Sequence, residues 1–131
     1  MAAASMMILL FCGSEAVAQS SYSAAKSLDI KQMVDLNSVD LVSDVEALEI
    51  LSAEFKSFAE VEPTPVQEVE HSIKVAFYSH MTAELVSNKS IATVLSAGGS
   101  ELVKIANRFN TPGNVSLEDI YNDAVALVED N

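Results

Sequence analysis

Residues 64–85 read TPVQEVEHSIKVAFYSHMTAEL, and this stretch decides the fold that the sequence predicts. Thr64 is a typical helix N-cap, Pro65 fits the first helical position because its missing N–H needs no partner there, and Gln67 can complete a capping box. Apolar side chains then recur at steps of three and four, which places them along one stripe of an α-helix. They are Val66, Val69, Ile73, Phe77, Met81 and Leu85. The stretch therefore predicts an amphipathic helix with a defined start.

The same period continues on both sides of this helix. Upstream, Asn37 is predicted to cap a helix that ends before Pro63, since a proline ring disfavours helical geometry in the preceding residue. The apolar stripe of that helix is Leu41, Val45, Leu48, Leu51, Phe55 and Phe58. Downstream, a helix is predicted over residues 91–109, with Gly98 and Gly99 as a point where it bends or where a second backbone approaches closely. Its apolar positions are Ile91, Val94, Leu95, Leu102, Ile105 and Phe109.

A last helix is predicted after the turn at residues 110–114, with Ser116 as its cap. Its apolar positions are Leu117, Ile120, Ala124, Leu127 and Val128. Residues 19–36 are less regular, although they allow a shorter first helix through Ala24, Ala25, Leu28, Met33 and Val34. No run with a period of two competes with these helices. The predicted fold class is all-α, a bundle of four to five amphipathic helices in one domain over residues 19–131.

The first eighteen residues support two interpretations. An apolar run at residues 6–12 is followed by Ala16-Val17-Ala18, which resembles a secretory signal peptide with its cleavage site. The first 25 residues contain no Lys or Arg, which departs from that pattern, so residues 1–18 form either a signal peptide or an N-terminal helix. The single cysteine, Cys12, cannot form an internal disulfide, and we expect it to behave as a small apolar residue.

Charge excludes some classes of partner. Nineteen Asp and Glu against seven Lys and Arg give a net charge of -12, which repels nucleic-acid phosphates and anionic membranes. We therefore expect no nucleic-acid partner and no membrane partner. The charge is also uneven, with eleven acids against two lysines in residues 29–70 and a slight basic excess in residues 71–113. The simplest interpretation is that the acids keep the chain soluble, and the alternative is that they direct association.

The sequence contains no motif that predicts catalysis. His71 and His80 are nine residues apart on one predicted helix, so they lie on opposite sides and cannot share a metal ion. Cys12 is the one candidate nucleophile and has no base near it in sequence. There is no P-loop and no nucleophile elbow around the serines. We therefore expect a non-enzymatic protein without a cofactor or a metal site.

Three segments resemble the N-terminal domain of spider silk proteins, the spidroins. They are residues 76–85 (AFYSHMTAEL), residues 107–113 (NRFNTPG) and residues 118–120 (EDI). The resemblance covers roughly residues 36–130. It implies a secreted helical domain that is monomeric and soluble at neutral pH, and that forms an antiparallel homodimer on acidification to link silk chains. The chain departs from that family because it has no tryptophan in its first helix and no basic residue near Val69.

The resemblance, together with charge repulsion, also suggests which side chains act. Carboxylates crowded on one face repel a second copy, and acidification removes this repulsion. We expect the sensing acids to be Asp40, Asp44, Glu84 and Asp119, with Lys56 or Lys74 as contacts of opposite charge. Two other functions remain open: a secreted helical carrier of a small apolar ligand, and an acidic helical adaptor that binds a basic partner.

Overall fold

The computed structural model describes residues 28–29 and 32–130 of the chain. These residues form an all-α bundle of four helices, which confirms the predicted fold class. The helices are α1 (Asp44–Glu60), α2 (Glu68–Val86), α3 (Ile91–Arg108) and α4 (Leu117–Leu127), with 3₁₀ turns at Leu36–Ser38 and Pro65–Gln67. Consecutive helices pack against each other, and α1 also contacts α4. The predicted signal peptide or first helix at residues 1–18, with Cys12, lies outside the described residues.

The start of α1 differs from the prediction. Asn37 does not cap this helix but lies in the first 3₁₀ turn, and the cap is Ser43, whose hydroxyl accepts the Glu46 N–H at 3.2 Å. The chain between the turn and the helix is extended because it pairs with the other end of the bundle. There the Val42 N–H donates to the Val128 carbonyl at 2.9 Å. A long-range pairing therefore removes the predicted first turn of the helix.

The other helix boundaries confirm the sequence signals. Helix α1 ends before Pro63, as the proline predicts. At the start of α2, the Gln67 side chain accepts the Thr64 N–H at 3.4 Å, which is one half of the predicted capping box. At the start of α4, the Ser116 hydroxyl accepts the Asp119 N–H at 3.2 Å. These signals hold because each acts within a few residues of its own position.

The glycine pair in α3 serves close approach and not a bend. Helix α3 runs without interruption through Gly98 and Gly99. A Cβ atom on Gly98 would lie 3.3 Å from the Tyr121 ring and 3.6 Å from the Phe77 ring, and one on Gly99 would lie 3.0 Å from a Leu28 methyl group. The missing side chains therefore let α4, α2 and the N-terminal segment approach α3 closely.

The core lies where the four helices meet. Its largest fully buried side chains are Phe77, Leu51, Ile73, Met81, Leu95, Leu102, Ile105, Leu117, Val125, Val128 and Thr111. Three residues of the predicted stripes are exposed instead: Val45 at 73%, Val66 at 92% and Phe109 at 38%. Val45 lies in the first turn of α1, where Ala47 turns toward the core in its place, and Val66 lies in the 3₁₀ turn before α2. Phe109 directly follows the end of α3, so all three residues lie at or near an end of their predicted stripe, beyond the packed part of the helix.

An N-terminal segment crosses the bundle beside α4. The Val34 N–H donates to the Asn122 side chain at 2.9 Å, and the same side chain donates to the Gln32 carbonyl at 2.9 Å. The Asp29 N–H donates to the Glu118 carboxylate. Met33 and Val34 are therefore held in an irregular conformation, and the described part of residues 19–36 does not form the shorter helix that its apolar residues allowed.

Candidate functional site

Two of the predicted sensing acids, Asp44 and Glu84, lie at the same end of the bundle. Asp44 opens α1, and its carboxylate accepts the N–H of Ile91, the first residue of α3, at 2.9 Å. This carboxylate satisfies a backbone donor that the start of a helix leaves open, and it lies near the positive end of the helix dipole. Asp44 also lines a hollow that contains Lys89. It is therefore already engaged within one copy of the chain.

Glu84 forms an ion pair with Lys89. The two side chains are 2.6 Å apart, at the connection between α2 and α3. The hydrogen bond from Lys89 lowers the pKa of Glu84 below its ordinary value, and the charges of Lys89 and His80 act in the same direction. In a single copy this acid is therefore harder to protonate than an isolated carboxyl group.

The other predicted residues are spread over the bundle. Asp40 is exposed beside the C-terminal end, and Asp119 is exposed in the first turn of α4. Lys56 is exposed on α1. Lys74 pairs with Glu70 at 3.2 Å on α2. The structure thus brings Asp44 and Glu84 to one end and does not gather all six residues into one cluster.

The outer side of α2 is a feature that the sequence analysis did not identify. Six residues recur there at steps of three and four, so they share one side of the helix. All are small or apolar, none is charged, and each is exposed or half-buried. They are Ser72, Val75, Ala76, Ser79, Ala83 and Val86. The opposite side of α2 carries the buried stripe.

Helix α1 extends this surface. Phe55 and Ala59 line a groove of about 550 Å³ together with Val75, Ala76 and the ring of Phe109, which is 38% exposed. At the other end of the helices, a second hollow is lined by Val45, Leu48 and Val86, of which the two valines are 73% and 67% exposed. We call this surface, formed by the outer stripe of α2 and these residues of α1, the α1–α2 face.

Charged and titratable groups border the α1–α2 face. Asp44 and Lys89 line the hollow at one end, and His71 lines the groove near the other end. Lys56 precedes Ala59 by three residues on α1, so it lies beside that residue of the face. The face thus has an apolar centre and charged margins, the arrangement found at protein interfaces.

The two histidines do not form a metal site. His71 packs edge-on against Phe58, with ring centroids 6.4 Å apart, and His80 lies 3.7 Å from Glu101 on α3. In the part of the chain that the structure describes, no three His, Cys, Asp or Glu side chains come together in a group that could hold a metal ion. No helix in this same part has the length and apolar character needed to cross a bilayer.

Comparison with known proteins found no match for this chain among protein-family models, curated proteins or solved structures.

Proposed function

We propose that this chain is a non-enzymatic domain that forms homodimers through the α1–α2 face, and that acid promotes the association. One observation carries the proposal. One residue in five of the chain is charged, yet the outer stripe of α2 runs from Ser72 to Val86 without a charged side chain. Exposed apolar surface bordered by polar groups is typical of surfaces that bind another protein.

A second copy of the chain fits the shape and charge of this face. In a two-fold dimer the same surface of both copies meets, so an elongated apolar stripe can pack on itself. An antiparallel arrangement places the α1 start of one copy beside the α1 end of the other. Asp44 of one copy then lies near Lys56 of the second copy, which gives charges of opposite sign at the margins. The proposal therefore needs no other protein to cover the apolar centre.

The acidity of the chain supplies the response to pH. With a net charge of -12 at neutral pH, two copies repel each other, and protonation of carboxylates weakens this repulsion. Any carboxyl group whose pKa is higher in the dimer than in the single copy binds a proton on association, so the dimer gains stability as pH falls through that range. Asp40, Glu84 and Asp119 are the candidates, whereas Asp44 acts as the contact of Lys56, a pairing that favours its charged form. For Glu84, this role requires that the dimer separate it from Lys89.

The resemblance to spidroin N-terminal domains suggests a biological role for this pH-dependent association. A secreted structural protein must stay soluble while it is stored and must link its chains when it is assembled. A domain that is monomeric at neutral pH and dimeric in acid performs both tasks. We therefore propose that this domain links the chains of a secreted silk-like protein.

Light scattering tests the proposal directly. We expect the mass of a monomer at pH 7.0 and the mass of a dimer at pH 5.5, with more dimer at pH 7.0 when added salt screens the repulsion. A monomer at both pH values would reject self-association. A dimer that is equally stable at both pH values would reject the response to acid.

A matched pair of variants tests the surface. Val86→Glu places a charge on the α1–α2 face, whereas Val66→Glu places the same charge on the turn before α2, where the valine is 92% exposed. We expect Val86→Glu to raise the dimer dissociation constant at pH 5.5 about tenfold or more, because a charge must then be buried between the copies. Val66→Glu should change it little. Equal effects of the two variants would show that net charge matters and that the face does not.

A further inference from the structure

A crevice separate from the α1–α2 face opens between α1, α2 and α4. Its volume is about 290 Å³. Phe58, Ile120 and Leu127 supply apolar walls, Glu54 and Asp123 bring two carboxylates from different helices, and Lys74 brings one ammonium group. The volume corresponds to about ten water molecules, since one water occupies roughly 30 Å³ in the liquid. The crevice can therefore hold a small organic molecule or the end of a long side chain.

Tyr78 lines this crevice and has an unpartnered hydroxyl group. The residue is only 2% exposed, yet its hydroxyl finds no hydrogen-bond partner among the residues that the structure describes. The other buried tyrosine of the bundle, Tyr121, donates to the Leu95 carbonyl at 2.7 Å. Buried polar groups nearly always have a partner, and a tyrosine hydroxyl that lacks one in the protein indicates a ligand or a water molecule.

The phenol stays protonated next to the two carboxylates. Burial raises the pKa of Tyr78, and the negative charges of Glu54 and Asp123 raise it further. The hydroxyl can therefore donate a proton to an acceptor, and its oxygen can accept a hydrogen bond from a donor at the same time. The effect of both carboxylates on this phenol also shows that the three groups share one electrostatic environment.

The aromatic wall already attracts a cation. The Lys74 ammonium lies 5.7 Å from the centre of the Phe58 ring and 3.2 Å from the Glu70 carboxylate. Ammonium groups bind aromatic faces through the ring quadrupole. Lys74 lines the crevice together with Glu54 and Asp123, but its ammonium pairs with Glu70, so the two crevice carboxylates outnumber it and can attract a further cation.

We propose that the crevice between α1, α2 and α4 binds a primary alkylammonium group. The ammonium group has three N–H donors. They donate hydrogen bonds to the carboxylates of Glu54 and Asp123 and to the Tyr78 oxygen. The phenol proton is then directed to a carboxylate. A short alkyl chain packs against Phe58, Ile120 and Leu127. An anion is disfavoured because the two carboxylates outnumber the one ammonium group of the lining, and a neutral apolar molecule leaves the buried hydroxyl without a partner.

NMR titration of the full chain at pH 7.0 with n-butylammonium chloride tests this proposal, with sodium chloride added to hold the ionic strength constant. We expect saturable shifts of signals from Tyr78, Phe58, Ile120 and Leu127. The neutral analogue n-butanol should bind about tenfold more weakly or not at all. Absence of saturable shifts, or equal binding of n-butanol, would overturn the proposal.

Two aspartates on the same helix provide a matched control. Asp123→Asn removes a carboxylate from the crevice, and Asp119→Asn removes the same charge one turn earlier, from a residue that does not line the crevice; both side chains are exposed. We expect Asp123→Asn to weaken n-butylammonium binding about fivefold and Asp119→Asn to leave it nearly unchanged. Tyr78→Phe should weaken binding by a similar factor through the lost oxygen. Equal effects of the two aspartate variants would show diffuse attraction and overturn the site.

An alkylammonium group can come from a lysine side chain of a protein partner or from a free small amine, and competition experiments distinguish these two sources. A blocked lysine peptide that displaces n-butylammonium assigns the site to a lysine side chain of a protein partner. Displacement by free alkylamines alone assigns it to a small amine. Either result supports the proposal. Binding of the ammonium group is independent of dimer formation, because the crevice lies away from the α1–α2 face.

Discussion

Tyr121 and Tyr78 are both buried tyrosines that line hollows of the bundle, but their hydroxyl groups differ in their hydrogen-bond partners. Between α3 and α4, Tyr121 donates its hydroxyl to the Leu95 carbonyl at 2.7 Å and packs over Gly98. Between α1, α2 and α4, Tyr78 borders an open crevice and has no partner for its hydroxyl within the described residues. A stable fold does not need an opening with an unpartnered donor. The hydroxyl of Tyr121 therefore contributes to stability, whereas the hydroxyl of Tyr78 belongs to the crevice for which we propose recognition.

Helix α2 shows the same contrast between its two sides. Phe77 is fully buried beneath Gly98 of α3. On the outer side of the helix, Val75 and Ala76 face the groove that Phe55 lines from α1. One side of α2 thus contributes to the buried core, and its other side belongs to the exposed α1–α2 face. Substitutions on the two sides should therefore differ in what they change.

The largest expected difference is between two phenylalanines. Phe77→Ala should lower the free energy of unfolding by about 3–5 kcal/mol, because a fully buried ring leaves a cavity among close-packed side chains. Phe55→Ala should cost about 1–2 kcal/mol, because the half-buried ring loses less apolar contact. Urea denaturation at pH 7.0, where we expect a monomer, measures both values.

Light scattering at pH 5.5 gives the complementary measurement for Phe55→Ala. This variant should fold and should form dimers less readily, since its side chain belongs to the α1–α2 face. Equal losses of stability for the two variants would contradict the distinction between a closed and an open side of α2.

The two tyrosines give the next largest difference. Tyr121→Phe should lower the free energy of unfolding by about 1–2 kcal/mol, because the Leu95 carbonyl loses its buried donor. Tyr78→Phe should change it by less than about 0.5 kcal/mol or raise it slightly, because no protein hydrogen bond is lost. Thermal or urea denaturation of both variants in buffer without amines makes this comparison. A substantial loss for Tyr78→Phe would show that its hydroxyl has a partner in the protein.

The sequence predicts those parts of this fold that depend on neighbouring residues. Pro63, the Thr64 capping segment and Ser116 set helix boundaries through interactions within a few residues, and the structure confirms all three. The predicted cap at Asn37 is wrong because the pairing of Val42 with Val128 decides the backbone there. Such a pairing leaves no local signal in the sequence.

The candidate surfaces were less predictable for a related reason. Periodicity identified the buried stripe of α2, but Ala76 and Ala83 on its outer side are small residues that fit either a packed or an exposed position. The crevice joins Glu54, Tyr78 and Asp123, which come from three helices that are distant in sequence. Their proximity follows from helix packing, which the spacing of residues does not reveal. The uncharged outer stripe of α2 is nevertheless visible in the sequence, because its residues follow the helical period.

The smallest expected effect concerns Glu84 and Lys89, beside the end of the α1–α2 face. The hydrogen bond from Lys89 lowers the pKa of Glu84 below its ordinary value of 4.5. The pair therefore stabilises the fold fully above about pH 4.5, and this contribution is lost as pH falls through the lowered pKa. Lys89→Gln should raise the pKa of Glu84 toward 4.5, measured by NMR titration of its carboxyl carbon.

Lys104→Gln provides the matched control, because it removes the same charge from an exposed lysine that lies 3.6 Å from Glu101. It should leave the titration of Glu84 nearly unchanged, and an equal shift in both variants would assign the effect to net charge. The same titration in the dimer then decides the role of Glu84. Acid promotes association only through groups whose pKa is higher in the dimer. If Glu84 keeps its lowered pKa there, it is not a sensor, and the response comes from other carboxyl groups, with Asp40 and Asp119 as the remaining candidates.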